Sequence, residues 1–147
     1  MEYELEKATL EDIQLLEEYK EKTIFEYAQE LSEEEIEKIK NYIQENVPKD
    51  IYQYYKIMVS QQVVGCVLIK EEGNLKCLDE LYIEEPYRNR GIGTEILNDI
   101  TSKYPHVSLW VYKNNTRAIL LYQRMGFKIL DETQTRYYME YRKEEQV

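Results

Sequence analysis

An α/β fold is what this chain of 147 residues predicts, on three observations. Segments with the two-residue period of a strand alternate with segments whose apolar residues recur every three to four positions, the mark of an amphipathic helix. An apolar strand-like run, Leu78 to Ile83, leads through Arg88-Asn89-Arg90-Gly91-Ile92-Gly93-Thr94 into one of these helices. The length suits a single domain, residues 1–147, able to bury a real core and too short for two.

Tyr3, Leu5 and Lys7 alternate with glutamates and predict a half-buried first strand. Thr9 followed by Asp12 has the form of a capping box, opening a helix whose inward period of Ile13, Leu16, Lys20 and Ile24 is imperfect. Ser32 and Glu35 predict a second helix start, with Ile36, Ile39 and Ile43 inward and Lys38, Lys40 and Glu45 outward. Glu33, Glu34 and Glu35 sit in its first turn and complement the helix dipole. Pro48 has no N–H to give, so the helix is expected to continue little beyond it.

The period then changes to two. Strands are expected over Tyr52 to Val59, Val63 to Lys70 and Leu75 to Ile83, with turns at Ser60-Gln61-Gln62 and Glu72-Gly73-Asn74, an antiparallel meander. After Gly91, Ile92, Ile96, Ile100 and Tyr104 share one side of a helix with Leu97, and Glu95, Asn98, Asp99 and Lys103 take the other. Pro105-His106 makes a bend and Val107 to Val111 a short strand. Asn115 or Thr116 caps the last helix, in which Ala118, Leu121, Tyr122 and Met125 share a face. Gly126 fits the left-handed position that ends a helix, with Phe127 as the apolar residue after it. Thr135 to Tyr141 reads as a last strand with Tyr137, Met139 and Tyr141 on one face, and the charged end Arg142 to Gln146 as frayed.

Composition narrows the partners. A net charge of −10 argues against nucleic acid held by a broad basic surface and weakly favours cationic ligands. No apolar run approaches the ~18 residues of a membrane span, and Met1-Glu2-Tyr3-Glu4-Leu5 is too acidic for a signal peptide, so no membrane partner and a cytoplasmic location are expected. Cys66 and Cys77 lie in strand-like surroundings with no Cys-x-x-Cys pair and only His106 for company, which argues against a metal site. Tyr52, Tyr54 and Tyr55, from a total of fifteen tyrosines, suggest an aromatic wall, most simply sheet packing with hydroxyls at the surface.

The loop Arg88 to Thr94 carries the sharpest chemistry. N–H groups at a helix N-terminus have no intrahelical acceptor and carry the positive end of the dipole, so anionic oxygens satisfy them. Gly91 and Gly93 allow close approach of that backbone to a ligand. A dinucleotide fingerprint would need a third glycine where Ile96 stands, and a Walker A loop would need Gly-Lys followed by Ser or Thr. A bare Gly-x-Gly is most often only a tight turn. The flanking Arg88 and Arg90, with Arg124 as a further cation, and a second segment, Asn114 to Phe127, point to an anion site instead.

With both segments in view, the chain resembles the GNAT superfamily of acyl-CoA-dependent N-acetyltransferases. Arg88-x-x-Gly91-x-Gly93 is similar to that family's pyrophosphate signature, and Asn115-x-x-Ala118-x-x-x-Tyr122-x-x-x-Gly126-Phe127 to its later cofactor motif. The resemblance covers residues 78 to 141 well and the N-terminal half only by its order of elements. It implies the GNAT fold, a single mixed, mostly antiparallel sheet of about six to seven strands flanked by about four helices. It also implies acetyl-CoA as co-substrate, no metal, an amine acceptor, and a homodimer as a possible assembly.

Acetyl transfer to an amine needs a held donor, a deprotonated amine, a stabilised oxyanion and a proton for the thiolate. The resemblance assigns Arg88, Asn89, Arg90, Gly91, Ile92, Gly93 and Thr94 to the pyrophosphate, Asn115 and Ala118 to the pantetheine arm, and backbone groups of Leu81, Tyr82 and Ile83 to the donor, with the Ile83 N–H for the oxyanion. Tyr122 stands where the family often carries its general acid, and a phenol of pKa near ~10 can protonate a thiolate whose acid form lies near ~8.5. Leu78 to Leu97 resembles spermidine/spermine acetyltransferases, whose acidic pair is the reverse of Asp79-Glu80. Strand alternation lets only one of these two carboxylates face the acceptor. Their alternative role is cross-strand pairing with Lys56 or Lys70, and water is a further candidate for the proton. Trp110 stands where some protein N-terminal acetyltransferases place a glutamate, which argues weakly against that branch. The resemblance thus points to a small cationic amine such as a polyamine, with a protein or peptide amine, or a noncatalytic acyl-CoA sensor, as alternatives.

Overall fold

The structure is a computed structural model and describes residues 1–144. Along the chain run β1 (Glu4–Lys7), α1 (Ile13–Tyr27), α2 (Glu33–Asp50), β2 (Tyr54–Val59), β3 (Gln62–Glu72), β4 (Leu75–Ile83), α3 (Ile92–Lys103), β5 (His106–Tyr112), α4 (Thr116–Arg124), β6 (Lys128–Glu132) and β7 (Arg136–Arg142). The strands form one seven-stranded sheet in the order β1-β2-β3-β4-β5-β7-β6. Pairing is antiparallel for β1–β2, β2–β3, β5–β7 and β6–β7. β4 and β5 pair in parallel at Lys76–Val107 and Cys77–Ser108, because α3 carries the chain back to the starting end of the sheet, as a parallel connection requires. The expected mixed sheet with four helices is what forms. No helix among the described residues is long and apolar enough to cross a membrane.

The chain divides into two compact units, the first of residues 2–68 and 80–86, the second of residue 1, 69–79 and Tyr87 onward. In the first, Leu16, Tyr19, Ile43, Val47, Ile51, Tyr54, Cys66, Leu68 and Tyr82 form the core with Ala8. Local chemistry starts both helices. The Asp12 carboxylate accepts from the Thr9 N–H at 2.8 Å, and Ser32 and Glu35 cap each other, Glu35 N–H to Ser32 Oγ at 3.1 Å and Ser32 N–H to Glu35 Oε1 at 3.2 Å. Ser60 and Gln61 both take positive φ, 49° and 66°, the conformation of a tight hairpin turn between β2 and β3.

Two expectations for this unit need correction. Leu5 is exposed, not half-buried, because β1 is an edge strand of the sheet. Pro48 lies inside α2, which runs little beyond it, as expected, and ends at Asp50. The carbonyl it deprives of a donor belongs to exposed Gln44, where solvent has access to it. Tyr52 belongs to a 3-10 turn, Ile51–Gln53, and is 75 % exposed, while Tyr54 begins the strand and is fully buried. Its hydroxyl is therefore interior rather than at the surface.

In the second unit α3 buries Ile92, Ile96, Leu97 and Ile100, β5 buries Val107, Leu109 and Val111, and β7 buries Met139. Phe127 is buried too, its ring 5.7 Å from that of Tyr122 and 5.8 Å from that of Tyr141. Gly126 ends α4 at φ +96°, where a Cβ would stand 3.3 Å from the Tyr141 ring. β6 lies at the other edge of the sheet with all five residues exposed, so its sequence carries no alternation to mark it. The expected fraying does not begin at Arg142, which ends β7, and the Lys143 N–H is bonded to the Pro105 carbonyl at 2.8 Å. Glu145 and Gln146 lie outside the described residues.

Candidate functional site

The second unit holds the loop that leads into α3. Gly91 is its N-cap at φ +87°, with no side-chain cap, and nothing stands within 4 Å of where a Cβ would be. Asn89 also takes positive φ, 63°. The first helical bond is Glu95 N–H to the Gly91 carbonyl, 3.0 Å. The N–H groups of Ile92, Gly93 and Thr94 therefore precede any intrahelical acceptor and carry the positive end of the helix. Ile92 is buried and anchors the turn, while Gly93 and Thr94 are half-buried. The Arg90 guanidinium lies 6.0 Å from the centre of the Tyr87 ring, and Arg88 is half-buried. An uncapped helix start, open space at a left-handed glycine and two flanking arginines fit a diphosphate.

α4 in the same unit starts at Asn115, whose Oδ1 accepts from the Ala118 N–H at 3.2 Å. Its side chain thus has a structural task as the cap. Ala118 and Tyr122 are half-buried one turn apart, and the Tyr122 carbonyl accepts from the Phe127 N–H at 3.0 Å as the chain leaves the helix. Arg124 is exposed. A polar cluster crosses β5 and β7: His106 Nε2 hydrogen-bonds Glu140 Oε1, Tyr138 donates to Glu140 Oε2 at 2.8 Å, and Arg142 Nε reaches Glu140 Oε1 at 3.3 Å. These bonds, His106's foremost, hold the Glu140 carboxyl below the usual range. Burial pushes the Cys77 thiol up, against a hydrogen bond with Ser108.

The acidic pair on β4 separates by burial. Asp79 is exposed, in the second unit; Glu80 is 6 % exposed, in the first. Glu80 Oε1 accepts from the Tyr54 hydroxyl at 3.1 Å and lies 3.5 Å from Lys20 Nζ, and Oε2 accepts from the Cys66 thiol at 2.8 Å. Burial, then the charge of Glu80, pushes the Cys66 thiol well up, and Lys20 only partly opposes this. The thiol therefore stays a donor. Glu80 thus pairs with Lys20 of α1, while Lys56, one of the two lysines considered for the acidic pair, lies by Asp12 at 3.2 Å and Glu6 at 3.9 Å.

The end of β4 is set by close packing within the first unit. Tyr82 is buried, and Leu81 and Ile83 are half-buried. A Cβ on Gly65 would come within 2.0 Å of the Tyr82 carbonyl oxygen, so only glycine lets β3 approach there. The Glu84 N–H donates to the Val64 carbonyl at 2.8 Å. The hydroxyl of buried Tyr19 donates to Glu84 Oε2 at 2.7 Å, and the Tyr19 ring stands 4.8 Å from that of Tyr82. Tyr19, Lys20, Gly65 and Glu84 were not anticipated from the sequence. Lys20 alone left a trace, as the lysine on the inward side of an otherwise apolar helix period.

The family described as "Acetyltransferase (GNAT) domain" matches residues 50–129. Over 70 residues the chain is 33% identical to the peptidyl-lysine N-acetyltransferase YiaC of Escherichia coli (strain K12), covering 48% of this chain and 46% of that protein. Over 61 residues it is 34% identical to the spermine/spermidine N(1)-acetyltransferase of Bacillus subtilis (strain 168), covering 37% of this chain and 40% of that one. The chain thus spans less than half the length of these curated relatives. The crystal structure of the PaiA N-acetyltransferase from Thermoplasma acidophilum in complex with coenzyme A is similar in fold, with a TM-score of 0.76 at 22% identity over 97% of this chain and 99% of that one.

Proposed function

The chain belongs to the GNAT acetyltransferase family, whose co-substrate is acetyl-CoA, and from that premise we propose that it acetylates a primary amine borne on a small cationic molecule such as a polyamine. The observation that carries the donor half of this reading is the uncapped start of α3, with left-handed Gly91 between Arg88 and the helix. Acetyl-CoA supplies an activated acetyl thioester when bound. Arg88, Asn89, Arg90, Gly91, Ile92, Gly93 and Thr94 would hold its diphosphate through backbone N–H groups and guanidinium charge. Asn115 and Ala118, with backbone groups of Leu81 and Tyr82, would orient the remainder of the donor. The Ile83 N–H is assigned to the developing oxyanion. Tyr122 would give the proton of its phenol oxygen to the departing sulfur.

Asp79 and Glu80 are assigned different tasks. Glu80, bonded to Tyr54 and Cys66 and paired with Lys20, would act as a positioning residue for the strand. Asp79, the exposed member, or water is the candidate to take the acceptor's proton.

The amine class is supported by the names of the relatives. One acts on peptidyl-lysine and the other on spermine and spermidine, and both acceptors present a primary amine at the end of an unbranched alkyl chain. The net charge of −10 favours the free cation over a peptide, although the likeness to the peptidyl-lysine enzyme keeps a lysine side chain as the second reading. The test is thiol release from acetyl-CoA with spermidine, aminoglycosides, amino acids and lysine peptides. Spermidine is expected to be turned over fastest. Tight coenzyme A binding with no turnover of any amine would replace this reading with that of an acyl-CoA sensor.

A further inference from the structure

Glu84 stands one residue beyond Ile83, and three observations within its own unit single it out. Its backbone is pinned by the bond to Val64, 2.8 Å. Its Oε2 is held by the hydroxyl of Tyr19 at 2.7 Å, a side chain only 2 % exposed. The carboxylate is half-buried, and Oε1 has no hydrogen-bond partner among the described residues.

Burial and the carboxylate itself push the Tyr19 hydroxyl far up from its usual range, so it remains a permanent donor and Glu84 keeps one orientation. A carboxylate braced at one oxygen by a buried donor, with its other oxygen left to accept a further bond, suits an alkylammonium, whose N–H groups and charge that second oxygen can meet. A metal ion is a poorer fit, because no group of three or more His, Cys, Asp or Glu side chains among the described residues could hold one.

From this geometry we infer that Glu84, braced by Tyr19, is the anionic contact for an ammonium of the acceptor. The inference rests on the acetyltransferase reading and deepens it: it names the charge the acceptor must carry and the residue that reads it. Tyr19 acts through Glu84 and is a positioning residue.

The test uses the full chain with saturating acetyl-CoA, spermidine and Nα-acetyl-lysine amide as acceptors, and thermal unfolding alongside. Glu84→Gln keeps the shape and removes the charge. It is expected to raise the acceptor KM tenfold or more, the scale of losing a hydrogen bond to a charged group, with the acetyl-CoA KM and the Tm unchanged. Tyr19→Phe keeps the charge and frees its orientation, so a severalfold rise is expected. An unchanged acceptor KM in active Glu84→Gln overturns the inference and leaves the acetyltransferase reading standing. Should Glu84→Gln not fold, an unchanged acceptor KM in Tyr19→Phe overturns it instead. A parent that acetylates neither amine overturns the underlying reading and this inference with it.

Discussion

Lys20 Nζ lies 3.5 Å from Glu80 Oε1 with both side chains almost sealed from water. The carboxylate also accepts from Tyr54 and Cys66, so its charge is met by a cation and two neutral donors. A buried ion pair adds little net stability over an apolar pair of the same shape, yet losing one partner strands the other charge in a poor solvent. Lys20→Met should therefore destabilise the protein by about 3–5 kcal/mol in urea unfolding, and Lys20→Met combined with Glu80→Gln, which removes the stranded charge but keeps an acceptor for Tyr54 and Cys66, should recover much of the loss. A double variant as unstable as the single would mean that packing, not charge, is what Lys20 supplies. The same burial predicts that the pH–rate profile of Glu80→Gln keeps the parent's inflections.

Gly65 controls how β3 and β4 meet. A methyl group there would overlap the Tyr82 carbonyl oxygen at 2.0 Å, and the neighbour is backbone, which cannot rotate away. Gly65→Ala should cost about 1–3 kcal/mol or more, the scale of overpacking a core, read as a lower urea midpoint. Because the displaced residues are Tyr82 and Ile83, turnover should fall even where the variant is fully folded. A folded Gly65→Ala with the parent's kcat would remove the backbone of β4 from the proposed chemistry.

These two sites mark where sequence reading stops. Ser32 with Glu35, Asn115 as a cap and the left-handed Gly126 are legible because capping and turn conformations are decided within three or four residues. Tyr19 and Glu84 are 65 residues apart, and no local pattern says that α1 will deliver a hydroxyl to the end of β4. Asp79 and Glu80 were equivalent in the sequence and are separated only by what covers each. Leu5 had the right alternation for burial, but its strand lies at an edge of the sheet.

Tyr122 is half-buried on α4, one turn past Ala118, with its ring against Phe127 at 5.7 Å. Tyr122→Phe preserves that ring contact and removes only the proton donor. Turnover should drop tenfold or more, the scale of lost acid–base help, while coenzyme A affinity measured by calorimetry and the Tm stay at the parent's values. Unchanged turnover would assign the hydroxyl no part in the reaction and leave the ring as packing.

Glu140 gives the fold a pH dependence whose sign can be stated in advance. The hydrogen bond from His106 is the main reason its folded-state pKa lies below the ordinary 4.5, with Tyr138 and Arg142 adding and partial burial opposing. A depressed carboxyl contributes stability that is fully present above the unfolded value and is lost as pH falls through the folded one. The parent should therefore be more stable than Glu140→Gln near neutral pH, and the gap should narrow steadily once the pH drops below about 4.5. Urea midpoints of both proteins across that range measure it. A gap that stays constant into acid would show that Glu140 holds β5 and β7 together by shape and neutral hydrogen bonds rather than by its charge.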